Sequence, residues 1–115
     1  TSDGTAIRDY IDVQDIAKIH LHVKNKIKKD KKSYEINCGI GNGFSVLKII
    51  KTFEKIINKK FKLTDKKPRL GDTKKMICNT KFLKKILKLD LKNNLSASIT
   101  NSIKWKKKIN KHDIY

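Results

Sequence analysis

Two side chains in this sequence are set apart by their chemistry. Lysine and arginine total 29, and only Arg8 and Arg69 are arginine, so 27 cationic positions hold lysine. Arg69 lies in "KKPRLGD" (66–72), beside the chain's only proline. A chain that fills nearly every cationic position with lysine has kept arginine at these two. The other chemistry-bearing residues are sparse. "GIGNG" (39–43) follows a predicted strand and opens a predicted helix, with Asp65 further on. A dinucleotide fingerprint needs G-x-G-x-x-G, and Phe44 occupies the position of the third glycine. Glycines at such a turn more often serve backbone geometry alone. His20 and His22 point away from each other on a predicted helix, and with His112 they make no metal-ligand pattern. Cys38 and Cys78 stand forty positions apart with no CxxC, which suggests buried thiols in a reducing cytoplasm.

The elements that must position these residues follow from periodicity. "AIRDYIDV" (6–13) is rich in β-branched and aromatic residues and predicts a strand. From Val13 the spacing of Ile16, Ile19, Val23 and Ile27 predicts a helix to about Lys29. "SYEINC" (33–38) is a predicted strand, and Ser45 a predicted N-cap. Val46, Ile49, Ile50, Phe53 and Ile57 then form the cleanest amphipathic stripe in the chain. "FKLT" (61–64) and "KMIC" (75–78) are predicted short strands. Thr80 is expected to cap a short helix with Phe82, Leu83, Ile86 and Leu87 inward. Asn94 is expected to cap a last helix bearing Leu95, Ile99, Ile103, Trp105 and Ile109. Strands alternating with helices make the class α/β.

At 115 residues this is one domain at most. No apolar run is long enough for a transmembrane helix. "TSDGTAIRDY" has neither an initiator Met nor the regions of a signal peptide, so it reads as the middle of a longer chain. A formal net charge of +18 invites a nucleic-acid partner. Yet Lys, Ile and Asn, the residues of A/T-rich codons, are abundant together, and the lysines are spread over most predicted helices. The aromatic residues mostly fall on predicted core faces, not on an exposed stacking platform. The composition therefore points away from nucleic acid as the partner, leaving only salt-sensitive, non-specific binding.

One motif is recognisable. "DGTAIRDYIDVQD" (3–15) resembles the "DGT-x-x-RDYIHV-x-D" segment of UDP-glucose 4-epimerases, which are extended short-chain dehydrogenase/reductases. "YEINCGIGNGFSVLKIIKTFEKI" is similar to the family's "YNLG-x-G-x-GYSVLEVI-x-AFEK", and "PRLGD" to its "PRR-x-GD" loop. "CNTKFLKKILKLDLKNNL" and the closing "SIKWKKKINKHDIY" follow in the family's order, so the resemblance covers nearly the whole chain. It departs at Asp12, where the family usually has His. It also lacks the GxxGxxG cofactor loop and the Ser…YxxxK catalytic set. Residues 1–115 thus resemble the C-terminal, UDP-sugar-binding part of a Rossmann-type epimerase whose N-terminal NAD-binding domain lies outside this chain.

The resemblance implies roles. Arg8 and Arg69 would hold the diphosphate of the UDP-sugar, since a planar guanidinium grips phosphate oxygens in a fork that lysine cannot make. Asp72 would accept from the ribose side of the nucleotide, with Leu70 and Gly71 touching it through backbone. Tyr10 would line the same region or serve as a strand core residue. Met76 would sit beside the hexose, where size decides whether an N-acetyl group fits. No catalytic, cofactor-binding or metal-binding residue is assigned in this chain. The whole enzyme would interconvert UDP-glucose and UDP-galactose with tightly held NAD, as a cytoplasmic homodimer. The alternatives are a UDP-N-acetylglucosamine 4-epimerase or another nucleotide-sugar epimerase or dehydratase, and, in another class, a basic nucleic-acid-binding module.

Overall fold

The structure is a computed structural model that describes residues 3–64, 66–67, 70–89, 91 and 94–112. The described residues form four helices and a small three-stranded sheet. In chain order the elements are β1 (Ile7–Arg8), α1 (Val13–Asp30), β2 (Phe44–Ser45), α2 (Val46–Ile57), β3 (Lys75–Met76), α3 (Lys81–Leu87) and α4 (Leu95–His112). The sheet order is β2-β1-β3, with β1 antiparallel to β2 and parallel to β3. The α/β class expected from the sequence holds.

The helices form where the apolar spacing puts them, and side chains fix their ends. Asp12 caps α1, its Oδ1 accepting from the Gln14 N–H at 2.8 Å. The departure from the family's histidine at this position thus has a local use, because an aspartate satisfies a first-turn N–H that has no partner within the helix. Lys31 ends α1 in the left-handed region at φ 54°, its N–H donating to the Ile27 carbonyl. Beyond it, Tyr34 Oη donates to Asp30, which also pairs with Lys26 at 2.9 Å. Ser45 caps α2 as its position implies, Oγ accepting from Lys48 N–H at 3.1 Å. Asn94 caps α4 in the same way through Ala97 N–H. Thr80 does not cap α3: its hydroxyl makes no cap bond, and Asn79 Oδ1 accepts from Lys81 N–H instead. Thr80 is buried against the Gly41 turn, so its side chain is committed to packing.

The core is small and sits between α1 and α3. Ile19, Leu83 and Leu87 are buried together, with Ile11, Val23, Ile36, Ile86, Leu89 and Leu91 half-buried around them. Ala6 and Ile99 are buried elsewhere. The strong stripe on α2 packs toward β2 and α4, yet no residue of α2 is fully buried.

The strands are where sequence and structure differ. The predicted strand 6–13 shrinks to two residues, because Asp12 already belongs to α1's cap. "KMIC" likewise pairs only at Lys75–Met76. Segments 33–38 and 61–64 are in no strand. A ladder needs a neighbouring backbone to accept and donate, and neither segment is laddered to another strand among the described residues. The aromatic residues also depart from expectation. Phe82 is 47% exposed and Trp105 60%, with Tyr10 and Phe61 exposed as well. Cys38 is exposed and Cys78 only half-buried, against the expectation of buried thiols. Among the described residues no helix is long and apolar enough to cross a membrane, and no group of three His, Cys, Asp or Glu could hold a metal.

Candidate functional site

The register of the sheet decides which of the expected site residues meet. Arg8 pairs with Met76 across β1 and β3, and with Phe44 across β1 and β2. Partners in register project from the same face of a sheet, so the row Phe44–Arg8–Met76 crosses one face. Arg8 is half-buried, and its Nη1 donates to the Ile7 carbonyl at 2.8 Å. That bond uses one of five guanidinium N–H groups and leaves donors for an anion. Met76 is well exposed beside it.

Tyr10, two residues beyond Arg8, opens into a groove of about 870 Å³ lined by Val13, Ile49, Phe53, Ile99 and Trp105. Tyr10 lies outside β1 and is 36% exposed, so in this chain it is not packed as a strand core residue. Leu70 is fully exposed on a turn with Gly71. Gly71 has φ 86° and nothing within 4 Å of where a Cβ would stand, so its backbone faces open space. Asp72 is exposed on the same loop. The loop is tied to β1 by Ile7 N–H, which donates to the Lys74 carbonyl at 2.9 Å. Arg69, with Pro68 and Asp65, lies outside the described residues. The structure therefore brings Arg8 and Met76 together and says nothing of Arg69.

A residue that sequence reasoning missed holds this arrangement. Asp9 Oδ1 accepts from Ile40 N–H at 3.0 Å, and Oδ2 accepts from Gly41 N–H at 2.9 Å and Cys78 N–H at 3.2 Å. One carboxylate thus joins the end of β1, the glycine loop and the chain just after β3. The signal was present: an acid directly between two expected site residues, in a chain with only eleven Asp and Glu against 29 Lys and Arg. Burial pushes the Cys78 thiol above its usual range, and the nearby Asp9 and Cys38 add to this.

The glycines of "GIGNG" are explained by close approach. A Cβ on Gly39 would stand 2.3 Å from Cys78 Cβ and 2.7 Å from Asp9 Oδ2, and one on Gly43 2.4 Å from Ile7 Cγ2. Gly41 takes φ 77° at the turn itself. These positions pack one chain segment on another and leave no room there for a pyrophosphate. The residues present do not fit a dinucleotide cofactor, in keeping with the missing third glycine. Gly39→Ala is expected to destabilise the fold by about 1–3 kcal/mol, as overpacking typically does. Denaturant unfolding would measure it, and a change below about 0.5 kcal/mol would mean that Cys78 moves aside freely.

No family model matches the chain. Individual proteins do. The UDP-glucose 4-epimerase of Bacillus subtilis is 32% identical over 105 residues, which are 91% of this chain and 31% of that protein. UDP-glucose 4-epimerase 2 of Arabidopsis thaliana is 36% identical over 106 residues, again 91% of this chain and 30% of that protein. Among solved structures, a UDP-glucose-4-epimerase from Stenotrophomonas maltophila, with bound NAD and formylated UDP-arabinopyranose, matches 97% of this chain at TM-score 0.87 and 28% identity. The chain spans about a third of that structure and about the same share of the curated relatives it matches. Matched over nearly all of its own length by sequence and by fold, the chain is the counterpart of about a third of the length of UDP-glucose 4-epimerases.

Proposed function

We propose that this chain is the C-terminal, substrate-anchoring portion of an NAD-dependent UDP-glucose 4-epimerase that interconverts UDP-glucose and UDP-galactose. Arg8 and Arg69 grip the diphosphate, Leu70, Gly71 and Asp72 meet the nucleotide, and Met76 borders the hexose. The observation that carries this reading is the register that sets Arg8 beside Met76, within a fold that matches a UDP-sugar-bound epimerase at TM-score 0.87. A guanidinium held at that position can meet the phosphates while the neighbouring side chain borders the ring.

Anchoring by the diphosphate has a mechanistic purpose. Binding energy taken from groups remote from C4 holds the reacting carbon in place while leaving the hexose free to turn over. NAD belongs to the N-terminal Rossmann half, which packs with this chain in one enzyme; the whole is a cytoplasmic homodimer.

The exposed aromatic rings do not make the nucleic-acid reading the better one. Tyr10 and Trp105 share one groove, but Phe61 and Phe82 are not part of it, so the four form no single stacking platform. The test is an assay of the full-length protein with UDP-galactose, and separately with its N-acetylated counterpart. Conversion to UDP-glucose is expected. Turnover of the N-acetylated sugar alone would move the assignment to a UDP-N-acetylglucosamine 4-epimerase. Turnover of neither, with tight and steeply salt-dependent binding to RNA, would replace it with the binding module.

A further inference from the structure

We propose that Asp9 is a positioning residue for the sugar-nucleotide site, setting the spacing between Arg8 and Met76. This role rests on the proposed function and extends it to a residue to which the resemblance gives no part. Asp9 follows Arg8 directly, and its carboxylate takes three backbone N–H groups from two other segments: Ile40 and Gly41 of the glycine loop, and Cys78 two residues past Met76. β1 and β3 pair over only two residues each, Ile7 with Lys75 and Arg8 with Met76. So short a ladder fixes register weakly by itself. The Asp9 bond to Cys78 continues the tie beyond the last ladder pair, and the bonds to Ile40 and Gly41 brace it from the opposite segment. Gly39 packs within the same knot, where a Cβ would collide with both Asp9 and Cys78. A Cβ does not fit there without a shift, so the three segments pack closely at this point.

Asparagine tests this with little change in shape. Its Oδ1 can still accept, but its NH₂ group would face backbone donors, so at least one N–H loses its partner. A structural defect alone would lower stability and leave affinity unchanged well below the melting temperature, so a matched control is needed. Glu54 supplies it. Its carboxylate also accepts a backbone N–H, from Phe61 at 2.9 Å, and pairs with Lys60, at the far end of α2. In the full-length protein, Asp9→Asn is expected to raise KM for UDP-glucose and Kd for UDP about tenfold, with kcat changed less than about threefold. That is the pattern for lost binding common to ground and transition states. Glu54→Gln should lower the melting temperature comparably and change neither constant. The proposal is overturned if Asp9→Asn shifts only the melting temperature, or if both variants lose affinity equally. Wild-type protein that does not bind UDP at all would instead overturn the proposed function on which it stands.

Discussion

The 115-residue chain by itself is expected to interconvert no UDP-glucose and UDP-galactose, with or without added NAD. Two separate deficits lead to this result. No tyrosine in the chain is followed four residues on by lysine: Tyr10 has Gln14 there, Tyr34 has Cys38, and Tyr115 is the last residue. A positioned acid–base group contributes about 10²–10⁴ in rate on its own. The glycine-rich turn does not supply a cofactor site either, because Cys78, Asp9 and Ile7 crowd it. Without bound NAD there is no acceptor for the sugar's hydride, so the loss is complete and not graded. A coupled assay on the purified chain should match buffer at any NAD concentration. Turnover above that background would mean the chain holds a base and a cofactor site of its own.

The second large effect concerns the two arginines. Arg8→Lys keeps the net charge but replaces a planar set of donors with one mobile ammonium. Arg8 is half-buried, donates to the Ile7 carbonyl, and has Phe44 and Met76 as its register partners on the two neighbouring strands. Hydrogen bonds to charged groups contribute about 1.5–3 kcal/mol each, and losing one well-placed bond should weaken UDP binding roughly 10- to 100-fold. Arg69→Lys should act likewise. Lys67 is exposed on the approach to the same loop. Its replacement by alanine removes a solvated charge and should cost only about 0–1 kcal/mol.

How far the sequence shows all this depends on what each feature rests upon. Helices are local, and α1, α2 and α4 lie where the apolar spacing and the caps Ser45 and Asn94 put them. Strands depend on partners distant in sequence, and "SYEINC" has strand composition without a described ladder neighbour. A periodic stripe identifies a helix face without saying what covers it. Phe82 and Trp105 therefore sit on correctly predicted helices yet remain exposed. Arg8 stands out by its rarity among the lysines, whereas Tyr10, Leu70, Gly71, Asp72 and Met76 are recognisable only through resemblance. Of these, the structure makes Arg8 and Met76 direct neighbours. Asp9 carried only a positional signal, an acid between two expected site residues, because its contacts are three backbone N–H groups as many as 69 residues away in sequence. Backbone donors carry no residue code, so no motif could have announced them.

Above all, the chain is expected to grip a UDP-sugar by fork geometry and not by charge alone. Calorimetric titration of UDP into the full-length protein and into Arg8→Lys, Arg69→Lys and Lys67→Ala tests this most directly. Affinity should fall by roughly 10- to 100-fold for each arginine variant and stay within about fivefold of wild type for Lys67→Ala. The contrary result is that both arginine variants bind UDP as tightly as wild type while Lys67→Ala loses most of its affinity. The site would then respond to charge, and fork geometry would not be why two arginines persist among 27 lysines.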